Sequence, residues 1–383
     1  MNAKHRSRIP AAFLSIVIAT IIAAGCALPF AQDSVASDPD LQYIKSYRDL
    51  PGITEAEIAA IEELKSRRDY FSYGCDMNAE AFTLSNGSKA GFTALFCDFL
   101  TEFFDIPFVM DFYSWDEMML DFEDLKLDFT GELTPTPERM QTYFMSHPIA
   151  ERTLAVFYNN ERVEIASEQD LNSLIIGFYE GTITRQYVSN FYPGLQFETV
   201  EFANADEAAE MLKNGEMDAF ISEAVETLYY SQYPFITCMD AFPLVYTPVS
   251  MTTANTELSP LISAMNRYLE LGGASYLFDL YIAGRADFFK HQLALDFSDV
   301  EKAYISDLIA RGAKVPVAFE NDNYPICFFD EEHQDFHGIV PDILEEIHLL
   351  TGIEFEAVTG SDTPFTDMLD MLRSGEASMV SQL

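Results

Sequence analysis

In "ITEAEIAAIEELKSRRD", residues 53–69, Ile58, Ile61 and Leu64 recur at the spacing of one buried helix face. Thr54 and Glu57 stand three residues apart at its head, as a capping box requires. Residues 298–308, "SDVEKAYISDL", place Ser298 and Glu301 in the same way, with Ala, Ile and Leu matching those of 54–64. The likeness continues downstream. Each helix is followed by a strand-like segment, "YFSYGCDMNAEAF" or "KVPVAFENDNYPICFF". A turn, a Gly, an amphipathic helix and a strand come next, in "NGSKAGFTALFCDFLTEFFDIPF" and "EEHQDFHGIVPDILEEIHLLTGIEF". Then "DFEDLKLDFTGEL" and "DMLRSGEASMVSQL" each read as a helix end, a turn and a strand. The pattern predicts one complete module over 68–290 and the first part of a second over 313–383, with a tether and connecting helix over 32–67 and a connecting helix over 291–312. A segment of roughly 70 residues is marginal as an independent fold, so a truncated product or a fragment of a longer chain is expected.

The first module has an inner echo. "EMLKNGEMDAFISEA" (210–224) repeats the helix–turn–strand order of "DFEDLKLDFTGEL". Helices alternate with short apolar strands such as "SLIIGFYEG", "LQFETVEF" and "MDAFISE", which predicts parallel sheets with helical crossovers. The expected class is α/β, with two lobes (68–155 with 248–290, and 156–247) joined by crossing segments near 154–159 and 242–251. Ligands of open α/β sheets bind at the carboxyl ends of strands, and two lobes facing each other there form a hinged cleft.

Residues 1–31 read as an export signal or membrane anchor: Lys4, Arg6 and Arg8 precede an uncharged apolar run. "AAGC" ending at Cys26 has the look of a lipidation site, and an uncleaved anchor helix is the alternative. Either places the remainder outside the cytoplasm, in association with the cell membrane. The 62 acidic and 22 basic residues give a net charge of -40, which argues against nucleic acid and against a basic lipid-binding patch. That charge favours cationic or zwitterionic ligands over dianions. Cys75, Cys97, Cys238 and Cys327 form no CxxC or zinc spacing. Burial is their expected role, a Cys75–Cys97 disulfide being the alternative.

The organisation, with "GFTALFCDFLTEFF", Trp115, "LKLDFTGELTPTPER", "GFYEGTIT" and "NGEMDAFISE", resembles the extracellular solute-binding proteins of family 3. Tandem copies behind a signal are similar to the sensor regions of bacterial membrane receptors, whose output is a histidine kinase or diguanylate cyclase. The resemblance implies a type II periplasmic-binding-protein-like fold and an amino-acid-like ligand in the cleft. Any output domain would lie beyond residue 383.

Arg139 is the centre of the expected site. Thr136 and Pro137 predict a helix start that puts Arg139 in a first turn, where the helix dipole disfavours a cation. A bound carboxylate would relieve that, and the planar guanidinium suits one. The resemblance assigns Arg139 to a ligand α-carboxylate and Thr134 to a hydroxyl contact with it; an ordinary ion pair to Glu132 or Glu138 is the alternative. Gly181 and Thr182 fall at a strand-to-helix turn whose N–H groups suit an anion, or form a plain turn. By the resemblance, Glu223 accepts the α-ammonium, with Ser222 beside it; otherwise it is a solvated helix-start Glu. Glu132, where Ser or Gly is usual, suits a cationic side chain or neutralises Arg139. Trp115 and Phe82 are candidate apolar walls, or core.

Rival readings are weaker. No HExxH, GxSxG or P-loop is present. His333 and His337 in "HQDFH" fall at a hairpin turn, and no metal or cofactor is expected. An exported hydrolase lacks a motif, and a structural surface protein would not need a cleft. Within binding, the second copy favours sensing, with delivery to a transporter permease as the alternative.

Overall fold

The computed structural model describes residues 44–381. The expected lipidation site at Cys26 and the export signal lie outside them. Among the described residues no helix is long and apolar enough to cross a membrane. The chain divides into two compact units, one within Ala31–Phe288 and one within Phe289–Leu383.

The first unit carries strands β1 (Phe71–Cys75), β2 (Phe82–Thr83), β3 (Lys89–Ala90), β4 (Phe108–Phe112), β5 (Phe129–Leu133), β6 (Phe144–Asn159), β7 (Ile175–Tyr179), β8 (Glu198–Phe202), β9 (Ala219–Glu223) and β10 (Ile236–Thr253). Eight of them form one sheet in the order β4-β1-β5-β10-β6-β9-β7-β8. β4-β1-β5 are mutually parallel, as are β8-β7-β9. Between these trios run β6 and β10, antiparallel to one another. With 16 and 18 residues, at about 3.3 Å per residue, they are long enough to pass through both lobes. Register shifts in β10 between Met239 and Phe242, Phe242 and Tyr246, and around Ser250 bend the pair along its length. The two-lobed α/β form and both crossing segments expected from the sequence are present.

Each lobe has its own apolar filling. Helix Phe92–Phe104 packs Phe96, Leu100, Phe103 and Phe104 against Phe71, Phe108 and Phe129 of the first trio. This aromatic cluster explains the chain's high Phe content: large rings bury much area and meet in tilted and edge contacts. In the second lobe Leu154, Val156, Ile176, Phe178 and Ile221 face one side of the sheet, and Phe157, Phe202 and Phe220 the other. Cys75 and Cys97 are buried free thiols in the first core, so the disulfide alternative is set aside.

The capping box predicted at Thr54 forms as expected: Thr54 Oγ1 accepts from Glu57 N at 3.2 Å, and the Glu57 carboxylate accepts from Thr54 N at 2.7 Å. It starts helix Glu55–Ser66. Ser298 and Glu301 repeat the arrangement at the head of helix Asp299–Ala310.

The second unit is a smaller α/β body. Its strands are β11 (Lys314–Ala318), β12 (Asp322–Asn323), β13 (Cys327–Asp330), β14 (Asp335–His337), β15 (Glu354–Ala357) and β16 (Met379–Val380). β15-β11-β16 form a parallel trio in the same relation as β4-β1-β5, and β13–β14 a hairpin where the first unit has β2–β3. Helix Ala274–Asp296 runs past residue 290, the boundary expected for the first module.

Candidate functional site

The carboxyl ends of both parallel trios meet in the first unit. β1 ends before Asp76, β5 before Thr134, β7 before Glu180 and Gly181, and β9 at Glu223. Between them lies a cavity of about 50 Å³ lined by Asp76, Thr134, Tyr179, Thr182, Ser222 and Glu226, among others. A wider pocket of about 430 Å³ at its mouth is lined by Trp115, Glu123, Arg139, Tyr143, Glu180 and Gly181. Trp115 and Arg139 belong to both.

The lobes are joined across this cleft. Trp115 Nε1 donates to the Glu180 carbonyl at 3.0 Å. Arg139 Nη1 donates to the Thr134 carbonyl and Nη2 to the Gly181 carbonyl, each at 3.1 Å. Ala79 N donates to Val225 O at 2.9 Å.

Arg152, on β6, is the electrostatic centre. Its side chain is 3 % exposed. Nη1 donates to Glu132 Oε2 and to Glu223 Oε2, each at 2.6 Å; Nη2 donates to Glu80 Oε2 at 2.7 Å, and Nε to the same oxygen at 3.0 Å. Glu80 and Glu132 come from the first lobe and Glu223 from the second. The guanidinium fork suits such convergent carboxylates. Glu80 is placed by a close backbone approach: Thr93 N donates to the Glu80 carbonyl at 2.9 Å, directly beside Gly91. Gly91 has φ 97°, and a Cβ there would run into that carbonyl.

Two further carboxyls face the cavity. Burial first, then Glu132, push the Asp76 carboxyl up to about 7. Burial first, then Asp76, push Glu226 up to about 8. Tyr179 Oη donates to Glu226 Oε2 at 3.0 Å, and Ser222 Oγ donates to Oε1. Burial also raises Glu223, with Arg152 opposing. The cavity lining thus holds four carboxyl groups, Asp76, Glu132, Glu223 and Glu226, and one guanidinium, Arg139, while Arg152 and Glu80 join it through the ion pairs to Glu132 and Glu223; together they leave an excess of three negative charges when all ionise. Burial lowers Arg139, opposed by Tyr143 and Glu223.

The sequence-predicted residues fall as follows. Thr134, Glu132, Trp115, Arg139, Thr182 and Glu223 line the inner cavity, and Gly181 the mouth. Phe82 does not: it is 1 % exposed and packs edge-on to Phe288, inside the core. Glu132 pairs with Arg152, not with Arg139: Arg152 Nη1 reaches it at 2.6 Å from β6, across the intervening β10. The helix at Arg139 is a single turn, Arg139–Thr142, too short to sum a dipole of consequence. Its N-cap position is Glu138, without a side-chain cap bond, and the expected Thr136 instead accepts at Oγ1 from Arg139 N at 3.2 Å. At the Gly181 turn, Thr182 N donates to Tyr179 O at 3.3 Å and Gly181 offers its carbonyl to Arg139 at 3.1 Å. Arg152, Glu80, Asp76 and Glu226 were missed. The available signal was a lone Arg inside the apolar crossing strand, and an Asp closing β1.

No protein-family model matches the chain, and no curated protein matches it. Solved structures do align. An ancestral arginine-binding protein bound to arginine is 21% identical, covering 56% of this chain and 98% of its own, with a TM-score of 0.46. The amino acid ABC transporter substrate-binding protein AbpA from Streptococcus pneumoniae, bound to L-arginine, is 16% identical, covering 59% and 98%, with a TM-score of 0.47. The ancestral amino acid-binding protein AncCDT-1, a precursor of cyclohexadienyl dehydratase, is 21% identical, covering 58% and 98%, with a TM-score of 0.44. At these scores the likenesses carry no argument about ligand or role, which rests on the cleft's own residues.

Proposed function

We propose that the cleft of the first unit binds a small solute bearing at least one protonated amine. The observation that carries this is the excess of carboxyl groups, contributed by both lobes, around one small cavity. Asp76 and Glu226 are half-buried carboxyls that only a cation or a proton can neutralise in place. An ammonium group among Asp76, Glu223 and Glu226 would take that position. Arg139 has committed N–H groups to the Thr134 and Gly181 carbonyls, and its remaining N–H groups would hold a carboxylate if the solute is an amino acid. Trp115 would cover the solute from the mouth. Binding shifts an open–closed equilibrium through contacts that only the closed form makes.

The role we infer is extracytoplasmic sensing for a membrane receptor, with the first module at 68–290 as the ligand-binding part and 313–383 as a partial second copy. The matching strand orders of the two units support it. Membrane attachment would come from the N-terminus, through Cys26 or the apolar run. Delivery of solute to a transporter permease uses the same cleft chemistry.

A different reading is favoured by one observation: a carboxyl held protonated near neutrality, as at Glu226, can serve as a general acid. Incubating the protein with each bound solute and following it by NMR separates the two, since a binding protein returns the solute unchanged.

The test of binding is a thermal scan of the full chain against basic amino acids, polyamines, neutral amino acids and dicarboxylates. A ligand at a hundred times its dissociation constant adds about 2.7 kcal/mol, a shift of several degrees. A shift confined to amines supports the reading; a shift only with dicarboxylates sinks it.

A further inference from the structure

The β13–β14 hairpin of the second unit gathers three metal-ligating side chains that the cleft does not use. Asp330 pairs with Asp335, and Phe328 with His337, in the antiparallel register. Asp330 and Phe328 are two residues apart on one strand, so Asp330 and His337 share a face of the hairpin. His333 comes from the intervening turn. That turn is fixed by Asp330 Oδ1, which accepts from Glu332 N at 2.8 Å. His333 Nδ1 lies 2.7 Å from Asp330 Oδ2, and the two imidazole rings have centroids 5.7 Å apart. One donor atom from each of the three residues lies within 4.8 Å of the others.

We propose that Asp330, His333 and His337 form a binding site for a divalent transition-metal ion of borderline softness. The donor set decides the class. Two imidazoles and one carboxylate suit zinc, nickel or copper, whereas calcium and magnesium require oxygen ligands. Donors about 2.0–2.1 Å from a tetrahedral ion sit roughly 3.3 Å apart. The most distant donors here need therefore approach by at most about 1.5 Å, which rotation of the side chains supplies. His333 is 66 % exposed, so that rotation is unhindered, and the ion reaches the site directly from solvent. The ordinary alternative is an isolated Asp330–His333 ion pair with His337 as a bystander beside Phe328. The placement of His337 on the same face as Asp330 distinguishes the metal site, because a simple ion pair has no need of a third donor there. The corresponding turn of the first unit, Leu84–Ser88, holds no His or Cys.

The test is an equilibrium titration of the full chain with zinc chloride in chelator-treated buffer, beside His333→Gln and His337→Gln. Cobalt(II) absorption reports coordination number. One saturable equivalent is expected, unaffected by millimolar calcium or magnesium and weakened at least tenfold in each variant. Unchanged melting curves without metal show that both variants remain folded. No saturable equivalent in the parent protein, or an affinity in both variants unchanged from the parent's, overturns the proposal. Weakening in one variant alone overturns the three-ligand arrangement.

Discussion

Replacing Arg152 with Met removes the one cation shared by Glu80, Glu132 and Glu223, whose side chains are 2 %, 7 % and 19 % exposed. Met fills much of the volume, so the loss is electrostatic rather than a cavity. Breaking a buried ion pair by deleting one partner costs about 3–5 kcal/mol. Here three carboxylates lose their partner together, and the protein can limit the damage only by protonating them. Protonation costs about 1.4 kcal/mol for each pH unit above the carboxyl's own pKa. The variant should therefore lose about 5 kcal/mol at pH 8, the upper end of that range, and clearly less at pH 5, relative to the parent at the same pH. For a unit of this size that is a fall in Tm of about 10–20 °C at pH 8. Trp115 is the chain's only Trp, so its fluorescence during urea or thermal unfolding reports the first unit specifically. A loss below about 1 kcal/mol at both pH values would refute the claim that this guanidinium is enclosed by carboxylates.

Other outcomes follow from the same geometry. The folded protein holds protons on Asp76 and Glu226 up to about 7 and about 8, above their ordinary 3.8 and 4.5. The folded state thus binds more protons than the unfolded one, and stability falls as pH rises between those limits. Asp76 alone contributes up to about 4 kcal/mol of this fall, less what solvent screening at its exposed edge returns. Asp76→Asn and Glu226→Gln should each flatten the urea midpoint's dependence on pH between 5 and 8; an unchanged slope in both would show the groups titrate normally. Gly91→Ala should cost at least about 2 kcal/mol in urea unfolding, from its positive φ and the nearby Glu80 carbonyl; a cost below about 0.5 kcal/mol would remove that loop from the account. Trp115→Phe deletes the bond to the Glu180 carbonyl, worth about 1 kcal/mol. Amide exchange around residues 180–183 should then quicken about fivefold, and an unchanged rate would mean the indole does not hold the lobes.

Local signals were legible where one short stretch determines the outcome. Both capping boxes, the crossing strands and the strand ends that carry Thr134 and Glu223 depend on neighbours within a few residues. Arg152 was not legible, because its burial depends on residues 80, 132 and 223 arriving from three separate segments. Glu132 was then matched to Arg139, the nearest Arg in sequence, when the crossing strand brings Arg152 nearer in space. Phe82 shows the same limit from the apolar side: an aromatic near a strand end fits a ligand wall or a core equally well until Phe288 packs on it. At Arg139 the Thr-Pro start reads as the head of a full helix, whereas only the single turn Arg139–Thr142 forms.

The most direct test of the central claim is a calorimetric titration of the full chain with arginine, lysine and spermidine at pH 6 and pH 8, in buffers of differing ionisation enthalpy. The account predicts saturable binding of at least one of these cations, tighter at pH 8, with about one proton released at neutral pH as a cavity carboxyl gives way to the ammonium. Absence of binding by every cation, or binding without proton release and equally tight at both pH values, would contradict it.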